Sequence, residues 1–423
     1  MLPPLTFPKR ALNTLISAIT LVVFALLDLL DFLLCYVYRF LDEFLEENPI
    51  RCYCCEKSGK EGSSDGEVSD TLHERENIFR EKFFLNLRRD YKVKGGGRLR
   101  HARWSDCCCK SCISWQGKEE RNLHLVTNLP NQGRNGYENE TSENVIFIHG
   151  FLSSSSFWAQ TVFPQTTQLN LKLFAVDLLG FGRSPKPADC LYQLKDHISM
   201  IEKSVIEPYQ LGSFHLVAHS MGCMIALNLA ARYPNRVKSI TLLAPPYFPS
   251  SGEKASHNAL KKLAEKKIWP PMAFGSAVMS WYEHVGRTVC LVFCRNHLIW
   301  ERTIKLLTGK RELYFLVTDM TKHTHHSAWH TMHNVICAGA KTQDTNLQII
   351  KKAGISVKII HGDKDQVVPI ECSYGLRSRI PHAELRIING QDHNSTIVGR
   401  EKEFTRELEE FWFSAPKTNS CDR

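Results

Sequence analysis

Ser220 stands in Ala218-His219-Ser220-Met221-Gly222, between a β-rich run (FHLVA) and a helical run (MGCMIALNLAARYP). A tight strand-to-helix turn needs small residues around its apex, and it lifts the serine hydroxyl out of the sheet as a nucleophile elbow. Gly222 meets that need, and Ala218 differs by one methyl from the first glycine of GxSxG. A serine hydroxyl is a weak nucleophile near neutral pH, so a base and an orienting carboxylate must lie further along the chain. GDKDQVVP supplies Asp363 and Asp365 after the run VKIIHG, and GQDH supplies His393 after ELRIING. The assignment is Ser220 as nucleophile, His393 as general base and Asp365 as charge relay. Asp363 is the competing acid, and Asp392 is too close in sequence to His393 to present its carboxylate easily. His149-Gly150-Phe151 closes the run NVIFI and forms an oxyanion loop. The amides of Phe151 and Met221 would complete the hole, a contribution of about 3 kcal/mol per donor. Serine chemistry of this kind needs no cofactor and no metal.

These residues must be positioned by an alternating framework. LHLV, NVIFIHG, KLFAVD, FHLVAHS, SITLLAP, VKIIHGD and ELRIING read as strands, separated by helical stretches such as LKDHISMIEKSVIEPYQL. That alternation predicts an α/β fold, a mainly parallel sheet with helices on both faces, whose ligands sit at the carboxyl ends of strands. Residues 246–354 are helical in texture, too long for an ordinary connection, and read as a helical cap inserted into a core of 121–245 and 355–423. DLLGFGRS and Ser153 to Ser156 read as turns at the pocket rim. Trp269, Met272, Phe274, Trp281 and Trp329 are cap residues suited to line an acyl channel or to pack on the core.

With 423 residues, 43% hydrophobic and 23% charged, the chain is neither collagen-like, wholly disordered nor polytopic. The net charge of +9 is a mild excess that favours contact with anionic surfaces without indicating nucleic-acid binding, and most of it sits between Arg88 and Lys110. Residues 1–47 contain an N-terminal hydrophobic segment preceded by Lys9 and Arg10 and followed by acidic residues. This reads as a signal peptide or signal anchor that exports the rest, although Asp28 and Asp31 also suit a buried or interfacial helix. Residues 48–120 form a cysteine-rich, basic extension in which Gly59 to Asp70 reads as a linker and Thr71 to Asp90 as one amphipathic helix. Of 15 cysteines, seven crowd into CYCC (Cys52, Cys54, Cys55) and CCCKSC (Cys107, Cys108, Cys109, Cys112). Disulfides, a zinc site and S-palmitoylation all remain open for these. His326, His330 and His333 share a helical face that could ligate zinc, but the segment lacks the Glu of HExxH and reads as a cap helix packing above the pocket, with no metal. Asn139 and Asn394 head N-glycosylation sequons.

HGF, DLLGFGRS, AHSMG, GDKDQVVP and GQDH, in this order, resemble the α/β-hydrolase superfamily. Together with the apolar N-terminus, CYCC, CCCKSC and HTHHSAWHTMHN, they resemble the plant BODYGUARD group. That resemblance implies a serine esterase of lysophospholipase type acting on a lipid or cutin-precursor acyl ester in cuticle formation. It also implies an extracellular catalytic domain, membrane or cell-wall association, and a palmitoyl anchor for which Cys35 is the candidate. An acyltransferase with the same triad and a non-catalytic binding protein are the competing readings. Oligomeric state is not legible.

Overall fold

The computed structural model describes residues 7–46, 69–73, 77, 103–116, 122–129, 142–167, 170–248, 255–264 and 280–414. Asn139, the CYCC cysteines, Trp269, Met272 and Phe274 lie outside the described residues, as does most of the expected linker and of the Thr71–Asp90 helix. The described start of that helix, Asp70–His73, is a single 3-10 turn.

The strands are β1 (Leu125–Asn128), β2 (Glu143–Ile148), β3 (Leu171–Val176), β4 (Phe214–His219), β5 (Val237–Leu243), β6 (Ser356–Gly362) and β7 (Glu384–Ile388). They form one seven-stranded sheet in the order β1-β3-β2-β4-β5-β6-β7. Only the β1–β3 pairing is antiparallel. Residue alternation along each strand builds a core on both faces. Ile146, Ile148, Phe174, Leu216, Ile240 and Ile359 join one buried cluster, while Val145, Phe147, Leu173, Val217, Leu243 and Ile360 join the other. Central strands covered on both sides lose their amphipathic alternation, and every residue of β4 is accordingly buried.

The helices, in chain order, are α1 (Phe7–Leu45), α2 (Lys110–Ile113), α3 (Ser156–Thr161), α4 (Leu194–Ile201), α5 (Gly222–Arg232) and α6 (Ala255–Ala264). They continue with α7 (Glu283–Val292), α8 (His297–Thr308), α9 (Phe315–Asp319), α10 (His325–Thr331), α11 (Gln343–Ala353), α12 (Glu371–Arg379) and α13 (Glu401–Ser414). Between β5 and β6 the described residues carry helices and add no strand to the sheet. Leu347 and Ile350 of α11 nevertheless sit in the same buried cluster as the sheet residues, so this last helix packs as part of the core.

The N-terminal apolar segment forms one helix of 39 residues rather than a short span with a broken tail. Its aspartates explain the continuity, because they face protein. Asp31 accepts from the amides of His284 (2.9 Å) and Val285 (3.3 Å) at the start of α7, where a carboxylate satisfies amides that have no partner within the helix. Asp42 pairs with both terminal nitrogens of Arg287 at 2.7 Å, and accepts from Arg103 at 2.8 Å and Trp104 Nε1 at 2.7 Å. Arg287 lies over the Tyr38 ring, 4.4 Å from its centre. The opposite stripe of α1, Val22, Leu26, Leu29, Leu33, Val37, Phe40 and Phe44, is exposed. Leu21–Leu45 is long and apolar enough to cross a membrane, by length and composition. Cys35 is buried, so its thiol faces protein and not the outward stripe.

Breaking a buried charge pair by removing one partner strands the other, at a cost of about 3–5 kcal/mol. Arg287→Leu is therefore expected to destabilise the protein by that order in urea denaturation. The double variant Arg287→Leu/Asp42→Leu should recover part of the loss.

Candidate active site

β4 delivers Ser220 and α5 carries the chain away from it, a reversal that leaves two residues, Ser220 and Met221, for the turn. Ser220 has φ of +52°, in the left-handed region that non-glycine residues adopt at a cost. Its amide donates to Leu243 O at 2.8 Å, which fixes the turn to β5. A Cβ on Gly222 would come 2.6 Å from His149 O and 2.8 Å from Ile148 O, so glycine is required where α5 crosses the end of β2. Ala218 is wholly buried, and the extra methyl is absorbed. Gly150 approaches from the other side, where an added Cβ would lie 3.1 Å from Ser220 Cβ. The oxyanion loop and the elbow are thus in direct contact.

His393 follows β7 and Asp365 follows β6. Nδ1 of His393 is 2.7 Å from Asp365 Oδ2. The second carboxylate oxygen of Asp365 accepts from the amides of Val367 (2.7 Å) and Val368 (2.8 Å). His361, on β6 and fully buried, places Nε2 3.2 Å from Asp365 Oδ2 and 3.0 Å from Val368 O, while Ser373 Oγ lies 2.6 Å from its Nδ1. Two acceptors at Nε2 require a proton there, so His361 donates to Asp365 from Nε2, and the Ser373 hydroxyl holds the ring through Nδ1. Burial opposes ionisation of Asp365, but hydrogen bonds from His361 and His393 outweigh it and hold the carboxyl well below the usual range. Asp363 is turned away and accepts from the amide of Gly390 at 2.6 Å; Asp392 accepts from the amides of Asn394 and Ser395.

His219 joins the two halves. It precedes Ser220, stacks on Phe157, and its Nε2 lies 3.0 Å from His393 O, with ring centres of the two histidines 4.6 Å apart. Burial pushes its pKa down to about 3, so the imidazole beside the candidate base is neutral. His149 accepts at Nε2 from the amide of Leu178 (2.9 Å), and its Nδ1 donates to Gly150 O (2.7 Å). Burial lowers its pKa as well, in keeping with that tautomer. Asp177 ties the rim together, accepting from the amides of Ser155 (2.6 Å) and Arg183 (2.7 Å). Gly182, at φ of +54°, leaves room for the Asp177 carboxylate that any Cβ would strike. Phe181 stands edge-on to both His149 and Phe151. Phe151 is half-buried, Met221 is buried at the start of α5, and Asn394 is half-buried beside His393.

The histidine-rich segment does not gather into one metal site. His326 Nε2 bonds to Cys190 O at 2.9 Å, His333 Nδ1 to Thr71 Oγ1 at 2.8 Å, and the His326 and His330 rings lie 4.1 Å apart. His361 and His219 are the site-building residues whose roles motif spacing missed, whereas Asp177 belongs to the DLLGFGRS turn expected at the rim. HGD at the end of β6 was the available signal for His361.

Residues 143–399 match the family model described as alpha/beta hydrolase fold. Probable lysophospholipase BODYGUARD 4 of Arabidopsis thaliana is 51% identical, over 97% of this chain and 100% of its own length. The Arabidopsis proteins named probable lysophospholipase BODYGUARD 5 and BODYGUARD 1 are 45% and 39% identical, over 97% and 96% of this chain and 98% and 97% of their own lengths. The chain belongs to the α/β-hydrolase family and, within it, to the BODYGUARD group. With a serine at the elbow of that fold, it is a serine hydrolase.

Two outcomes test the geometry around Asp365. A hydrogen bond to a charged group contributes about 1.5–3 kcal/mol, so His361→Phe is expected to lower kcat roughly ten- to a hundredfold on a chromogenic ester, with little change in KM. For stability, the folded pKa of Asp365 is depressed, so its contribution is full above the unfolded value of 3.8 and is lost as pH falls below it. The stability gap between wild type and Asp365→Asn, measured by denaturant titration, should be widest at neutral pH and should narrow below about pH 4.

Proposed function

We propose that the protein hydrolyses lipid acyl esters of lysophospholipid type, with Ser220 as nucleophile, His393 as general base and Asp365 as charge relay. The observation that carries this reading is the 2.7 Å contact between His393 Nδ1 and Asp365, made beside the strained elbow that presents Ser220. An ionised Asp365 holds the proton on Nδ1, leaving Nε2 as the basic nitrogen. Ser220 Oγ bonds to the ester carbonyl carbon while its proton passes to His393 Nε2. The amides of Phe151 and Met221, with Gly150 pressed against Ser220, suit an oxyanion hole for the developing negative oxygen. Collapse of the tetrahedral intermediate breaks the C–O bond and returns the proton to the departing alcohol. Water, deprotonated by His393, then attacks the acyl-enzyme, releasing the fatty acid and the serine.

The lipid character of the substrate is supported by the names of the BODYGUARD relatives, and a place in plant cuticle formation by membership of that group. The outward apolar stripe of α1 supports work at a membrane surface. Cleavage after the apolar segment would remove Asp31 and Asp42 from α7, which supports its retention as an anchor. Lys9 and Arg10 before the segment and the acidic residues after it support a catalytic domain outside the cell.

A fluorophosphonate probe is expected to label the wild type and not Ser220→Ala, and lysophospholipid hydrolysis should fall at least a thousandfold in the variant, within the roughly 10⁶-fold seen when a catalytic serine is removed. Equal labelling of the two would overturn the assignment. Acyl products analysed with glycerol present should be free fatty acid; predominant acylglycerol would identify a transferase instead.

A further inference from the structure

CCCKSC, left open between disulfide, zinc and lipid by spacing alone, acquires a partner in the folded chain. Cys107, Cys109 and Cys112 meet His297, the first residue of α8, with the four ligand atoms all within 4.8 Å of one another. His297 Nε2 lies 3.4 Å from Cys109 Sγ and 3.5 Å from Cys112 Sγ. Tetrahedral zinc with Zn–S of about 2.3 Å and Zn–N of about 2.0–2.1 Å has S···N edges of about 3.5 Å, so these side chains stand at the corners of such a site. Orientation agrees with distance. His297 is buried and its Nδ1 lies 2.9 Å from Glu301 Oε1, one turn along α8, which holds the proton on Nδ1 and turns Nε2 toward the sulfurs. Metal-binding histidines are oriented by this carboxylate arrangement, and replacing such a partner costs about 10–100-fold in affinity. Within CCCKSC, the Cys109 amide points at Cys107 Sγ at 3.5 Å, giving the sulfur a hydrogen-bond donor. All three cysteines are free thiols.

We propose that Cys107, Cys109, Cys112 and His297 hold one structural zinc ion, which fastens the N-terminal extension to the cap. A set of three thiolates and one imidazole selects a thiophilic divalent ion over calcium or magnesium and closes the coordination sphere. The fastening reaches toward the substrate side. Cys107 and Cys112 line a cleft with Lys186 and His323. Lys186 donates to Gly182 O (2.7 Å), and His323 pairs with Phe181, the residue packed on the oxyanion loop. Next to the quartet, Cys290, Cys294 and His323 form a trio whose Nε2–Sγ distances are 3.6 and 3.5 Å. Among the described residues the trio offers only three ligands, and it serves as the internal control.

The test is zinc content of the purified full chain by mass spectrometry, with cobalt reconstitution as a spectroscopic readout. The wild type is expected to carry at least one zinc per chain, and its cobalt form to show tetrahedral d–d bands with thiolate charge transfer. Cys109→Ser/Cys112→Ser should lose one equivalent, whereas Cys290→Ser/Cys294→Ser should retain the quartet's ion. Because the first double variant is at risk of misfolding, Glu301→Gln is measured beside it; its zinc affinity, by chelator competition, should fall about 10–100-fold with the fold intact. A folded wild type without zinc, a disulfide among Cys107, Cys109 and Cys112 in peptide maps, zinc content indifferent to Cys109 and Cys112, or unchanged affinity in Glu301→Gln would each overturn the proposal.

Discussion

The buried carboxylate of Asp365 is the constraint around which the catalytic end of the sheet is organised. An ionised acid away from water is tolerated only when its oxygens are satisfied. Here one oxygen takes two backbone amides and the other takes two imidazoles, from His361 beneath and His393 beside it. That demand fixes the loop after β6, directs the Nε2 proton of His361 at the carboxylate, and draws the loop after β7 inward until His393 touches His219. Ser220 inherits its neighbourhood from the same chain of contacts.

On the far side of Ser220 the controlling quantity is space. α5 and the end of β2 approach so closely that position 222 tolerates no side chain, and Gly150 lies against the serine itself. The backbone then bends through a left-handed serine, a strain held by hydrogen bonds to β5 and by burial on both faces. Hydrogen bonding on one side and close packing on the other converge on a single hydroxyl. The rim loops, tied by hydrogen bonds to Asp177 and His149, frame that arrangement without contributing a reactive group.

The amino-terminal helix shows how hydrophobicity by itself misleads about partners. An apolar run with aspartates looks like an interrupted membrane segment, yet the aspartates are complements to a cap helix: Asp31 answers the free amides of α7, and Asp42 answers Arg287 and Arg103. The charged face turns to protein and the apolar face turns outward. Both faces were present in the sequence; which neighbour each would meet was not.

Much of the molecule was legible from residue order. The alternation of β-rich and helical runs, the small residues around Ser220, and the acid and histidine that end consecutive late strands follow from local chemistry, because strand propensity and tight turns impose their requirements over a few residues. Strand ends shifted slightly, as with LHLV, where β1 begins two residues later. Contacts between residues far apart in the chain were decided by folding. The meeting of His219 with His393, of Asp42 with Arg287, of CCCKSC with His297, and the inclusion of α11 in the core all depend on burial and charge complementarity between segments up to about 245 residues apart. Such pairings leave no periodic mark, since either partner alone reads as an ordinary polar side chain, and only the packed structure brings it the group that gives it a purpose.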